Sequence, residues 1–115
     1  MDTAAFFRAL GDDTRLRCVA LLHAEGELCV CELTYALDQA QPKVSRHLSQ
    51  LRQAGVVASH RRGTWMHYRL HPELPDWARG VIGDWLAGCA DSEPYRSDRR
   101  ALHGMPDRPA PNCCA

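Results

Sequence analysis

Asp38-Gln39-Ala40-Gln41-Pro42-Lys43-Val44-Ser45-Arg46-His47-Leu48 begins as a tight connection and becomes a helix with two unlike faces. Pro42 suits the first turn of a helix, where a missing N–H costs no hydrogen bond. Val44, Leu48 and, one turn on, Leu51 form an inward stripe. Gln39, Pro42, Lys43, Arg46, Ser49 and Gln50 then point away from it, and Gly55 ends the helix. Upstream, Val30, Leu33 and Leu37 mark the inward side of a shorter helix. Two short helices with a tight turn, the second basic and rich in hydrogen-bonding side chains, make a helix-turn-helix suited to a DNA groove. The predicted DNA-reading set is Gln39, Gln41, Lys43, Ser45, Arg46, His47, Ser49 and Gln50.

Working outward, Val56 to His60 and Thr64 to Leu70 read as strands, with Arg61-Arg62-Gly63 between them. That is a hairpin whose tip carries cations, Arg61 and Arg62, for phosphate or the minor groove. Toward the N-terminus, Phe6, Phe7 and Leu10 lie on a short helix from Thr3, which Gly11 breaks. Asp12 is placed to cap the next helix, whose stripe of Leu16, Val19 and Ala20 is widened by Cys18, Leu21 and Leu22 until it must be central. Ala24-Glu25-Gly26-Glu27 is read as a turn. Toward the C-terminus, Leu74, Trp77, Ala78, Val81, Ile82, Trp85 and Leu86 repeat at helical spacing. That stripe is broader and more aromatic than a small core can cover, so Phe6, Trp77, Val81 and Trp85 are predicted at a dimer surface. The expected fold is mainly α with a β-hairpin, a winged helix-turn-helix that forms a homodimer. A DNA-binding and dimerisation domain over 1–88 is followed by a cysteine-containing tail, 89–115. Pro94, Pro106, Pro109 and Pro111 are taken to exclude a regular helix at the end, so the tail is expected to be mobile unless something ties it down.

The chain has 115 residues and equal numbers of basic and acidic side chains, 14 each. Its neutrality conceals a segregation: Gln39 to Pro72 contains no Asp or Glu but does contain Lys43, Arg46, Arg52, Arg61, Arg62 and Arg69. The remainder is therefore acidic, and the molecule presents a cationic face on an acidic body, as a nucleic-acid binder does. No stretch approaches a membrane span, and the N-terminus lacks a signal-peptide pattern, which predicts a cytoplasmic protein with no membrane partner. In that compartment the 6 cysteines are expected as thiols rather than disulfides. Clustered thiols then point to metal binding or redox chemistry.

Cys29-Val30-Cys31-Glu32 has the spacing of a capping box, with Cys29 where Ser or Thr usually stands. A cysteine at a helix N-terminus has its thiolate favoured by the dipole and the free N–H groups, which makes a better ligand. Successive helical residues turn by about 100°, so one ion cannot hold both sulfurs if both lie within the helix. Either Cys29 precedes the helix in an extended conformation, or binding unwinds the first turn. Cys18 reads as an inert core thiol.

Four stretches together resemble the ArsR/SmtB family of metal-responsive repressors, most of all its arsenic- and antimony-sensing branch. They are Leu10-Gly11-Asp12-Asp13-Thr14-Arg15-Leu16, Glu27-Leu28-Cys29-Val30-Cys31-Glu32-Leu33, Gln41 to Leu48 as quoted above, and Gly63-Thr64-Trp65-Met66-His67-Tyr68-Arg69-Leu70. The resemblance runs from Phe6 to Leu86 and excludes the tail. It implies a homodimeric winged-helix repressor, not an enzyme, that binds double-stranded operator DNA and is released by As(III) or Sb(III). No permanent cofactor is implied; the metalloid is the inducer. The family pattern has a third cysteine three residues after the second, where this chain has Thr34. A trivalent thiophilic ion is best held by three thiolates, so the expected site is Cys29 and Cys31 with at least one of Cys113 and Cys114, Cys89 standing behind them as a candidate. The rival is a separate tail site of Cys113-Cys114 with Cys89. Asp84 stands on the last helix without a histidine partner, which disfavours the zinc-site arrangement of other relatives. A redox-sensing thiol switch is the runner-up within the regulator class. A thiol oxidoreductase is disfavoured by the C-x-C spacing and the absence of a βαβ frame.

Overall fold

In the computed structural model, which describes residues 1–108, carboxylates start the first two helices. Asp2 accepts the Ala5 N–H at 3.0 Å to open α1 (Thr3–Leu10), and Asp12 accepts the Arg15 N–H at 3.0 Å to open α2 (Asp13–Glu25). Gly26 closes α2 with a φ of 90°, a conformation that a side chain would strain. The chain then enters a strand absent from the sequence-based expectation, β1 (Glu27–Cys29). Its three residues are too few for an alternating pattern; what makes it a strand is its pairing with a segment far along the chain.

After β1 come α3 (Val30–Leu37), α4 (Gln41–Gln53), β2 (Val57–Arg62) and β3 (Trp65–Leu70). Asp38 turns the chain between α3 and α4 with φ 53° and ψ 47°, its N–H bonded to the carbonyls of Thr34 and Tyr35. Gly55, at φ 78°, ends α4, with Val56 N–H on the Leu51 carbonyl and Gly55 N–H on that of Arg52. These are the two bonds of a Schellman stop. The strands form an antiparallel sheet in the order β1-β3-β2, with Cys29 opposite His67 and His60 opposite His67 on the other side. The hairpin is longer than expected. β2 extends through Arg62, which pairs with Trp65, and leaves Gly63-Thr64 as the loop. Gly63 takes φ 60° at the first loop position, where a two-residue hairpin favours glycine.

α5 (Asp76–Cys89) carries Ala78, Ile82 and Leu86 into the core, beside Phe6, Val19, Leu22, Leu33, Val44 and Leu48. The C-terminal segment departs from the expected mobile tail. Between Pro94 and Pro106 the chain forms α6 (Tyr95–His103), packed on α2 and α3 with Leu102 fully buried. Its inward face combines that leucine with an anion. Asp98, only 3% exposed, receives Arg17 Nε at 2.8 Å and Nη2 at 2.7 Å, and Nη2 also reaches the Leu37 carbonyl at 3.3 Å. Hydropathy cannot register an ion pair, so composition conceals this helix. Replacing Asp98 by Ala strands a partly buried guanidinium and should cost about 2–3 kcal/mol, lowering Tm by roughly 10 °C or more. A thermal melt within 2 °C of the parent, on the order of experimental scatter, would remove the pair from any role in holding α6.

Candidate DNA-reading face and thiol site

Along α4 the burial of Val44, Leu48 and Leu51 turns Gln41, Lys43, Arg46 and Gln50 outward into solvent. Ser45, His47 and Ser49 lie half-buried on the flanks. Gln39, in the turn before α4, accepts Thr14 Oγ1 at 3.2 Å. Sequence reasoning assigned nothing to Arg15, yet its guanidinium braces this face. Nη1 meets His47 Nδ1 at 3.2 Å and donates to Gln50 Oε1, while Nε donates to the Ala9 carbonyl at 2.6 Å and Nη2 to that of Arg8 at 3.3 Å. His47 and Gln50 are distant from Arg15 in sequence, so no local motif could have signalled the link to α4. Burial, helped by the neighbouring cations Arg15, Arg46 and Lys43 and opposed by Asp12, pushes the His47 pKa down. The ring is therefore neutral at pH 7 and acts as a hydrogen-bonding group rather than a cation.

On the wing, strand alternation separates the two arginines. Arg61 is exposed, whereas Arg62 turns toward β1, with Nη2 3.4 Å from Glu27 Oε2. Glu27 also faces His60 Nε2 at 3.6 Å and His67 Nδ1 at 3.8 Å. His67 is buried, which lowers its pKa, and its Nε2 has no hydrogen-bond partner among the described residues.

Cys29 belongs to two elements at once. It is the last residue of β1 and the N-cap of α3, extended at φ −74° and ψ 151°, and 0% exposed. Its Sγ accepts the Cys31 N–H at 3.3 Å, and its own N–H donates to Glu32 Oε1 at 2.9 Å, completing the capping box with sulfur in place of oxygen. Of the two geometries open from sequence, the structure has the first: Cys29 precedes the helix in an extended conformation. Cys31 is half-buried on the first turn.

Thr34 is a poor substitute for the missing sulfur, since a hydroxyl oxygen is a hard donor for a thiophilic ion; its proton is given to the Cys31 carbonyl at 2.9 Å. Cys18 is buried in the core, which pushes its thiol up to about 12, in keeping with an inert packing role. Cys89 is half-buried at the end of α5. Cys113 and Cys114 lie outside the described residues. Among the described residues no group of three or more His, Cys, Asp or Glu side chains is arranged to hold a metal ion. The paired sulfurs fit a thiophilic ion in kind but are one donor short of three.

On the aromatic side, Phe6 packs edge-on against Phe7 and against Trp77, each at 5.1 Å between ring centroids. Phe6, expected at a dimer surface, is 0% exposed and so serves packing within the chain; Phe7 at 49% and Trp77 at 42% are the exposed members. Val81 and Trp85 follow Trp77 at half-burial, Trp85 partly covered by Tyr95 at 5.4 Å.

A helix-turn-helix with an outward basic helix, a cationic hairpin packed beside it and a third strand closing the sheet define a winged-helix DNA-binding regulator. The chain belongs to the bacterial regulatory proteins of the arsR family, whose sequence profile matches residues 12–59. It is 49% identical over 112 residues to the arsenic resistance transcriptional regulator ArsR1 of Pseudomonas putida, an alignment spanning 95% of this chain and 84% of that protein. It is 53% identical over 78 residues to the arsenical resistance operon repressor of Escherichia coli K12, spanning 68% and 67% of the two chains. Among solved structures, the antimony-specific transcriptional repressor AntR superposes with a TM-score of 0.64 at 28% identity, covering 78% of each chain. No helix among the described residues is long and apolar enough to cross a membrane.

Proposed function

We propose that this chain is a homodimeric repressor that binds operator DNA and releases it when As(III) or Sb(III) binds its cysteine thiolates. The observation that carries this reading is the double membership of Cys29. Its sulfur caps α3, the helix that positions the recognition helix α4. An ion that takes up the Cys29 and Cys31 sulfurs removes the cap and reorients the first turn of α3, which gives a direct route from ligand to lost DNA affinity. The relatives named for arsenic resistance support the ligand class, and the antimony-specific AntR supports the wider one.

The third thiolate in this reading is Cys113 or Cys114. Arg108 lies against Glu32, beside the cysteine pair. Cys113 is five residues further on, a span of at most about 17 Å. A third sulfur is thus within reach from the same chain, and the partner's tail is the competing source. The experiment is a titration of the protein–operator complex with arsenite, antimonite and peroxide. Release by either metalloid under reducing conditions is the expected result; release by peroxide alone would make the chain a redox switch instead.

On DNA, Lys43, Arg46 and the flanking Gln39, Gln41, Ser45, His47, Ser49 and Gln50 enter the major groove, one α4 per half-site. Arg61 meets phosphate from the wing, with Arg62 steadied by Glu27 beside it. Arg61→Ala should weaken binding about equally on all sequences and lower the slope of log K against log salt by about one unit. Altered sequence preference at constant slope, measured by fluorescence anisotropy, would remove Arg61 from the phosphate backbone.

A further inference from the structure

Glu32 stands in the first turn of α3, 6% exposed, with its two oxygens held by different parts of the chain. Oε1 accepts the Cys29 N–H at 2.9 Å, and Oε2 accepts Arg108 Nε at 2.7 Å. Arg108 lies beyond α6, and its Nη2 donates to Glu25 Oε1 at 3.1 Å. Glu25, the last residue of α2, has His103 Nε2 at 3.0 Å from its other oxygen. The Arg17–Asp98 pair fastens α6 at its base. A guanidinium that meets two carboxylates from two helices fixes both in orientation, because charge-assisted bonds of this length are directional and strong.

The consequence falls on Cys29. A buried carboxylate that lost Arg108 would keep one oxygen on a backbone N–H and leave the other without its partner. Turning toward water relieves that desolvation, and Glu32 cannot turn without releasing the Cys29 N–H. The box would then be half open, and the fully buried Cys29 would be exposed more often. Both ends of the arm, Glu32 and Arg108, are ordinary surface-type residues, and Arg108 lies outside the segment matched to the family, 12–59.

We propose that Arg108 is a positioning residue for the cysteine pair: through Glu32 it keeps Cys29 capped and buried, and so regulates how readily its thiol meets a thiophilic ligand. This rests on the reading of Cys29 and Cys31 as inducer ligands and names what governs access to them. The link also makes the C-terminal arm and the first turn of α3 a single mechanical unit.

The test is alkylation of Cys29 by iodoacetamide in the full chain under native conditions, followed by the mass of the labelled peptide. A buried thiol reacts through local opening, so the rate reports the open population. Arg108→Ala should label Cys29 about fivefold faster than the parent, the factor by which loss of a helix cap shifts such an opening. Cys18 should keep its parental rate, and Arg108→Lys should give a rate between those of the parent and Arg108→Ala, since an ammonium keeps the charge but not the fork that meets both carboxylates. An unchanged Cys29 rate, or a parallel rise at Cys18 that signals general loosening, would overturn the proposal. Failure of metalloids to release DNA from the parent chain would sink the inducer reading instead, and the labelling comparison needs no inducer.

Discussion

Cys29→Ser and Cys31→Ser should each abolish metalloid-driven release, raising the inducer concentration required by more than about 100-fold, while operator affinity stays within a few-fold. The asymmetry follows from what serine retains. Serine is among the preferred N-cap residues, so Cys29→Ser can still accept the Cys31 N–H and keep the box that Glu32 closes. Cys31 is half-buried on the first turn, and serine is close to cysteine in size, so the substitution is expected to be tolerated there as well. What both variants lose is a soft sulfur, and a hydroxyl oxygen is a poor ligand for a thiophilic trivalent ion. The measurement is anisotropy of labelled operator during an arsenite or antimonite titration. An ordinary response in both variants would transfer the ligand site elsewhere, with the Cys113-Cys114 and Cys89 arrangement next in line. A chain truncated after Pro111 answers the tail question separately: a parental response there excludes any thiolate from Cys113 or Cys114.

The second large effect is expected at the aromatic face. Trp77→Asp should yield a monomer in sedimentation and lower operator affinity by at least about 100-fold, since two linked half-site contacts become one. Phe7 and Trp77 are the exposed rings, their centroids 6.2 Å apart, on α1 and α5. A two-fold interface brings each altered residue in twice, and every buried unpaired carboxylate costs several kcal/mol, on the order of the whole gain from a modest interface. Trp77 also touches Phe6 within the chain, so Phe7→Asp, whose ring is more exposed, serves as the companion variant. Two intact dimers would move the interface off this face.

The parts of the structure that were legible in the sequence are those written locally. The α3–α4 pair, the Asp12 cap, the stop at Gly55 and the α5 stripe each rest on residues within one or two turns of one another. Even the unusual cap at Cys29 was legible, because the box depends on a spacing of three between Cys29 and Glu32. Contacts made across the chain were not legible. β1 exists because Leu28 finds Tyr68 and Cys29 finds His67. α6 exists because Asp98 finds Arg17. Periodicity likewise could not tell which of the adjacent rings Phe6 and Phe7 turns inward, a choice made by Trp77 packing over the first. Arg15 and Arg108 were missed for the same reason, since long side chains choose partners by proximity in the fold rather than by spacing.

The brace formed by Arg15 has a mechanical meaning. One guanidinium holds the last carbonyls of α1, next to the exposed Phe7, and at the same time two side chains of α4, His47 and Gln50. The surface proposed to meet the partner and the surface proposed to meet DNA are therefore bolted to each other by a planar, rotationally stiff group rather than joined by a hinge. In a dimer assembled on α1 and α5, the distance and twist between the two recognition helices would be set by the rigidity of this bracket. The phasing of the operator's half-sites along the double helix would then be measured by a residue assigned no contact with a base.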